Sequence, residues 1–133
     1  MNPYNVLVLG STGMLGSEVS KAFAFDKSFN LFATHRNSGL STWSIFSDKP
    51  DNVKFIKYDC LLDSLDSLKA HIENIDYIIN CIGSIKIGKD DYNSIYLNSI
   101  FPHKLSEWAV INNYKTINIS SDGVFSGLRK TGS

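Results

Sequence analysis

The chain has 133 residues, 43% of them hydrophobic, and thirteen basic residues balance thirteen acidic ones. Zero formal charge argues against a nucleic-acid binder working by bulk electrostatics, and the apolar content argues against intrinsic disorder. Met1-Asn2-Pro3-Tyr4 lacks the basic stretch and apolar run of a secretory leader, and no segment has the length needed to span a bilayer. Cys60 and Cys81, with three scattered histidines, make no metal-site pattern, and reduced thiols suit the cytoplasm. The expectation is a cytoplasmic protein without metal, membrane or nucleic-acid partner.

Strand and helix patterns alternate along the chain, the mark of parallel α/β architecture. Tyr4 to Leu9 ends in a continuous apolar run, as a central strand covered on both faces does. Gly10 breaks it, and from Met14 the spacing turns helical, with Leu15, Val19, Ala22 and Phe23 on one face. Phe29 to Thr34 reads as the second strand. A polar turn follows, and residues 39 to 48 form one short helix carrying Trp43, Ile45 and Phe46. Val53 to Lys57 is the third strand, and Asp63 to Ile72 a helix with Leu65, Leu68 and Ile72 on its inner face. Asp76 to Ile82 is the fourth strand. Tyr92 to Ile111 is a long helix in which Pro102 marks either a kink or a restart. Lys115 to Ser120 is the fifth strand. Right-handed crossovers predict a doubly wound, Rossmann-like parallel sheet in the order 3-2-1-4-5.

Gly10-Ser11-Thr12-Gly13-Met14-Leu15-Gly16 leaves a buried strand and opens a helix, the setting that gives a glycine pattern physical meaning. Gly10 serves the tight turn, Gly13 leaves room for phosphates, and Gly16 allows close packing of helix on sheet. The amides at the helix start then face a dinucleotide's diphosphate, with Ser11 and Thr12 as added hydroxyl donors. No Gly-Lys-Ser/Thr follows, so a triphosphate loop is disfavoured. At the end of the second strand, where an acid would grip a free ribose 2′-hydroxyl, the chain reads Thr34-His35-Arg36. The Arg36 fork suits a 2′-phosphate and predicts NADP over NAD, unless it only stacks on adenine or faces water. After the third strand, Asp59 either accepts the adenine amino group beside the Cys60 and Leu61 amides, or caps the next turn together with Asp63. Cys81, Ile82 and Gly83 end the fourth strand, where ribose and nicotinamide are expected. A six-stranded dinucleotide domain would continue further. The expectation is therefore an incomplete dinucleotide-binding domain over residues 1–127, with 128–133 beginning a loop toward missing chain.

These pieces resemble the extended short-chain dehydrogenase/reductases, sugar-nucleotide-modifying enzymes of the kind related to dTDP-4-dehydrorhamnose reductase. The resemblance rests on Gly10-x-x-Gly13-x-x-Gly16, the Asp59 region, Asp76-Tyr77-Ile78-Ile79-Asn80-Cys81-Ile82-Gly83, Asn98 with Pro102, and Ile119-Ser120-Ser121-Asp122-Gly123-Val124-Phe125-Ser126-Gly127. It implies that Ser121 is the catalytic hydroxyl that hydrogen-bonds the substrate oxygen and that Asn98 supports the active-site hydrogen-bond network. It further implies a substrate side formed by Ser84, Asp122 and Val124, and a homodimer through the long helix. The family's Tyr-x-x-x-Lys pair is absent, since none of the six tyrosines is followed four residues later by lysine. Ser121 alone polarises an oxygen but is a poor proton donor, so these residues by themselves are expected not to turn over. Residues 84–91 and Gly123 depart from the rhamnose-type pattern, which leaves the sugar open. Three functions compete: NADPH-dependent reduction of a keto-sugar nucleotide, an epimerase or dehydratase holding NAD, and a nonenzymatic nucleotide-binding module.

Overall fold

The computed structural model of the chain describes residues 2–36, 50–82 and 92–119. Tyr4–Leu9 forms β1, and its last four residues are all buried, which demands cover on both faces. Helix α1 (Met14–Ala24) follows, then β2 (Phe29–His35) and β3 (Val53–Lys57). A 3-10 helix spans Leu65–Ala70 before β4 (Tyr77–Asn80). The long crossover is built from α2 (Tyr92–Ile95), a π turn (Tyr96–Ile100) and α3 (Phe101–Asn112), and leads to β5 (Lys115–Asn118). All strand pairs are parallel, in the order β3-β2-β1-β4-β5 expected from the sequence. The chain winds outward from β1 in one direction and resumes beside it in the other. A crevice is thus created beyond the carboxyl ends of β1 and β4. Leu9 stands level with Asn80, and Asn80 with Asn118, so three strand ends share one rim.

Alternation along the strands divides the core in two. Leu7, Leu9, Ile56 and Ile78 point to the face covered by the 3-10 helix and α3, where they meet Leu68, Phe101, Leu105 and Trp108. Val6, Val8, Leu31, Ala33, Val53 and Ile79 point to the other face, where Ala24, Val19 and Phe23 of α1 pack on them. A polar contact ties two covering elements together: Trp108 Nε1 donates to Asp66 Oδ1 at 2.8 Å. Asn113 closes α3 in the left-handed region at φ 64°, and Tyr114 N–H returns to the Ala109 carbonyl at 2.8 Å.

Three predicted elements differ in form. The helix expected over 63–72 is a 3-10 helix of 65–70, with Ser67 N–H reaching the Ser64 carbonyl and His71 N–H the Leu68 carbonyl. Its two inward leucines are three residues apart, and that repeat lines them up in a 3-10 helix. Strand four is shorter than 76–82. Backbone bonds to β1 continue one residue past each end, from the Asp76 N–H to the Asn5 carbonyl and from the Cys81 N–H to the Leu9 carbonyl. The Asp76 carboxylate, however, takes the Asn5 N–H and Asn80 Oδ1 the Ile82 N–H, so the regular pairing stops there. In the long helix Phe101 N–H reaches back five residues to the Tyr96 carbonyl. Pro102 contributes no N–H, and it sits in the first turn of α3, where proline is tolerated. The helix does not restart: Ile95, Ile100 and Phe101 all keep right-handed helical backbone, and the π turn carries the helix continuously into the segment that holds Pro102. The short helix expected over 39–48 and the end of strand five at Ser120 lie outside the described residues.

Candidate functional site

The chain reverses at Gly10, whose φ of +79° lies in the left-handed region. A Cβ there would stand 3.0 Å from Ile82 Cγ1 and 3.1 Å from the Ile82 nitrogen. Gly16, in the first turn of α1, answers a different need: its Cβ would stand 1.8 Å from the Gly10 carbonyl oxygen. The helix therefore rests directly on the Gly10 peptide. Gly13 is unlike either. It is exposed and extended, and its Cβ would meet only the Gly10 oxygen at 3.7 Å, an ordinary contact. Among the described residues, packing of the protein on itself does not require glycine at that position.

Ser17 N–H donates to the Gly13 carbonyl at 2.8 Å and begins the helical ladder. The amides of Met14, Leu15 and Gly16 precede that bond, at the positive end of α1. The Met14 side chain is 90% exposed and that of Leu15 partly so; neither is committed to the core. Thr12 is half-buried in the turn. Ser11 departs from expectation. Its hydroxyl is fully buried and donates to the Thr34 carbonyl at 2.7 Å, so it stitches β1 to β2 and is not offered at the rim. The residue after a left-handed glycine is turned back toward the sheet, which is why the hydroxyl points inward.

Arg36 follows β2 as an exposed bend, and its charge is felt by the Cys60 thiol across the rim. Asp59 Oδ1 accepts the Leu61 N–H at 2.9 Å, while Asp63 Oδ2 accepts the Asp59 N–H at 2.8 Å. Of the two readings of Asp59, turn capping is formed in this geometry, and the Leu61 amide is consumed by it. Cys60 is buried and Cys81 half-buried, and both are free thiols. Burial pushes the Cys60 thiol up to about 11; the Asp59 carboxylate adds to that, while a backbone bond and Arg36 pull the other way. Burial alone raises Cys81 to about 11. Both thiols are therefore neutral at pH 7. A folded pKa above the ordinary 9.0 stabilises the fold fully below pH 9. That contribution should be lost as pH rises through about 11, read as a falling urea midpoint between those values and as negligible thiol labelling at pH 7.

Sequence reasoning missed the residue that holds the far side of the rim. Asn80 is buried at the end of β4; its Oδ1 accepts the Ile82 N–H at 3.0 Å and its Nδ2 donates to Asn118 Oδ1 at 2.9 Å. The Ile82 nitrogen lies against Gly10, so this amide pair sets the Cys81–Ile82 strip beside the glycine turn. A buried asparagine at a strand end was the available signal. Asn98 lies in the π turn with its residue exposed. Gly83, Ser84, Ser121, Asp122 and Val124 lie outside the described residues. Among the described residues no group of three His, Cys, Asp or Glu could hold a metal ion, and no helix is long and apolar enough to cross a membrane. At the opposite rim, Phe23, Phe29, Tyr77 and Ile117 help line an apolar hollow of about 310 Å³.

The fold has counterparts among solved structures. UDP-glucuronic acid 4-epimerase from Bacillus cereus, in complex with NAD, is 19% identical with TM-score 0.70, over 92% of this chain and 42% of that one. UDP-N-acetylglucosamine 4-epimerase from Methanobrevibacter ruminantium, in complex with UDP-N-acetylmuramic acid, is 20% identical with TM-score 0.75, over 100% and 43%. A variant of ElxO with NADPH bound is 20% identical with TM-score 0.73, over 94% and 58%. The chain thus spans less than half of either epimerase, and the likeness is one of fold. No curated protein sequence matches the chain. The profile of the NAD dependent epimerase/dehydratase family matches residues 6–132, running from β1 through the Ser-Ser-Asp-Gly segment. By that match, over nearly its whole length, the chain belongs to the NAD dependent epimerase/dehydratase family, the extended short-chain dehydrogenase/reductases that its motifs resemble.

Proposed function

We propose that this chain is the cofactor-binding portion of an NADPH-dependent reductase acting on a keto-sugar nucleotide. One observation carries the reading: Gly13 is open where the protein has no need of glycine, directly before amides that the helix ladder leaves over. A dinucleotide's diphosphate is an anion that requires such close approach and such donors. The Met14, Leu15 and Gly16 amides hold the diphosphate with Thr12 beside them, Gly13 gives it room, and Gly10 with the backbone of Ser11 carries the turn. Arg36 takes the 2′-phosphate. Asp59 and Cys60 border the adenine, and Cys81, Ile82 and Gly83 the nicotinamide half. The bound nicotinamide supplies hydride donor and acceptor chemistry. Ser121 hydrogen-bonds the substrate oxygen with Asn98 in support, and Ser84, Asp122 and Val124 line the sugar side.

A second reading keeps the site and changes the outcome. The family and the two UDP-sugar 4-epimerases favour an epimerase or dehydratase that holds NAD through its cycle. Arg36, standing where an acid would grip a free ribose hydroxyl, favours the reductase. Fluorescence titration of this chain with NADPH and NADH separates them. NADPH should bind more tightly, and Arg36→Ala should raise its dissociation constant on the order of tenfold while leaving NADH within about twofold. Equal affinities with an indifferent Arg36 would transfer the assignment to the NAD-holding reading. Because the sequence contains no Tyr-x-x-x-Lys, these 133 residues should bind cofactor without oxidising it when a 4-keto-sugar nucleotide is added.

A further inference from the structure

Thr34 stands in β2 two residues before Arg36 and is 1% exposed. A hydroxyl at that depth needs partners for both its proton and its lone pairs, and β1 provides them. Thr34 Oγ1 donates to the Val8 carbonyl at 3.3 Å and accepts the Gly10 N–H at 3.1 Å. The Thr34 carbonyl accepts the Ser11 N–H at 3.0 Å and the Ser11 hydroxyl at 2.7 Å. One residue of β2 thus holds Val8, Gly10 and Ser11 at the exit of β1, while the Leu9 carbonyl between them is held by the Cys81 N–H.

Resting on the cofactor reading above, we propose that Thr34 is the positioning residue of the glycine turn, its hydroxyl fixing the peptide on which α1 is seated. The path is short. Thr34 Oγ1 holds the Gly10 N–H, and the Gly10 carbonyl receives the Gly13 N–H at 3.3 Å and abuts Gly16. Rotation at Gly10 would carry the Met14, Leu15 and Gly16 amides with it. Glycine at a left-handed position resists such rotation weakly by itself, since its backbone has the widest freedom of any residue. A side-chain acceptor on the neighbouring strand supplies the restraint. Arg36 directly follows the end of the same strand, so the diphosphate and 2′-phosphate ends of the site are both referenced to β2.

Valine has nearly the shape of threonine but neither lone pair nor hydroxyl proton, and it leaves the Gly10 N–H without its acceptor. Serine keeps the hydroxyl. The test compares the unsubstituted chain with Thr34→Val and Thr34→Ser by NADPH titration and by amide hydrogen exchange. Thr34→Val should raise the NADPH dissociation constant on the order of tenfold. It should speed exchange at Gly10 and Ser11 while leaving Ile78 and Ile79 of β4 protected, and Thr34→Ser should restore both properties. Unchanged affinity and exchange in Thr34→Val would overturn the proposal, as would protection lost evenly through β4, which marks a hydroxyl that only stabilises the sheet. If the unsubstituted chain binds no NADPH, the cofactor reading fails. The exchange at Gly10 and Ser11 then decides by itself whether Thr34 holds the turn.

Discussion

Gly16→Ala should displace α1 and destabilise the chain, whereas Gly13→Ala should leave the fold nearly intact and weaken cofactor binding. The added methyl at position 16 would lie 1.8 Å from a backbone oxygen, and neither the helix nor the turn has a flexible side chain there that can yield. Overpacking of this kind costs about 1–3 kcal/mol, occasionally more. Alanine recovers about 1 kcal/mol through its better helix propensity. The steric term wins because backbone atoms must move, which puts the cost at the upper end of that range. After the helix-propensity gain, a net loss of up to about 2 kcal/mol is expected in urea unfolding. At position 13 the methyl meets only an ordinary contact at 3.7 Å, so the loss should stay under about 1 kcal/mol. NADPH affinity should nevertheless fall on the order of tenfold or more, because the methyl occupies the space through which a phosphate approaches the amides. Retained affinity in Gly13→Ala would remove the main support for a diphosphate at this turn.

Phe101→Ala should be among the most damaging single changes to stability, at about 3–5 kcal/mol. The ring is 1% exposed and belongs to the cluster of Leu105, Trp108, Leu7 and Ile78 beneath the sheet. It also begins α3 where the π turn ends, one residue before Pro102. Losing it leaves a void at the joint that carries Asn98, so the long helix should loosen there before the strands do. Val110→Ala is the control: the same helix, but a side chain 79% exposed, with an expected change within about 0.5 kcal/mol. Equal unfolding midpoints for the two variants would show that the joint is not part of the cooperative core.

The strand order was legible because buried parallel strands are nearly uniform apolar runs, and Val6 to Leu9 and Ile78 to Ile79 are such runs. The glycine turn was legible for a related reason: Gly10 answers to a left-handed backbone and Gly16 to the Gly10 carbonyl six residues before it, demands that recur at fixed spacing. The 3-10 form of 65–70 was not. Leu65, Leu68 and Ile72 report which face is buried, and both helix types bury them, so periodicity cannot choose between hydrogen-bond registers. Ser11 was misread in its direction, because its partner is 23 residues away in sequence. The capping bond from the Leu61 N–H to Asp59 became visible only with its local turn.

Sequence alone determined the alternating architecture, the order of the five strands, the glycine spacing and the family to which they belong. Each of these follows from short-range pattern: burial period, backbone conformations open only to glycine, and residues adjacent in the chain. Tertiary structure decided which polar groups are spent on the fold and which stay available. Ser11 and Asn80 find their partners on other strands, Thr34 and Asn118, and Trp108 finds Asp66 across the long crossover. A buried polar group must be satisfied, but which distant partner satisfies it depends on how the strands come together in space, and that is written in no local stretch of residues.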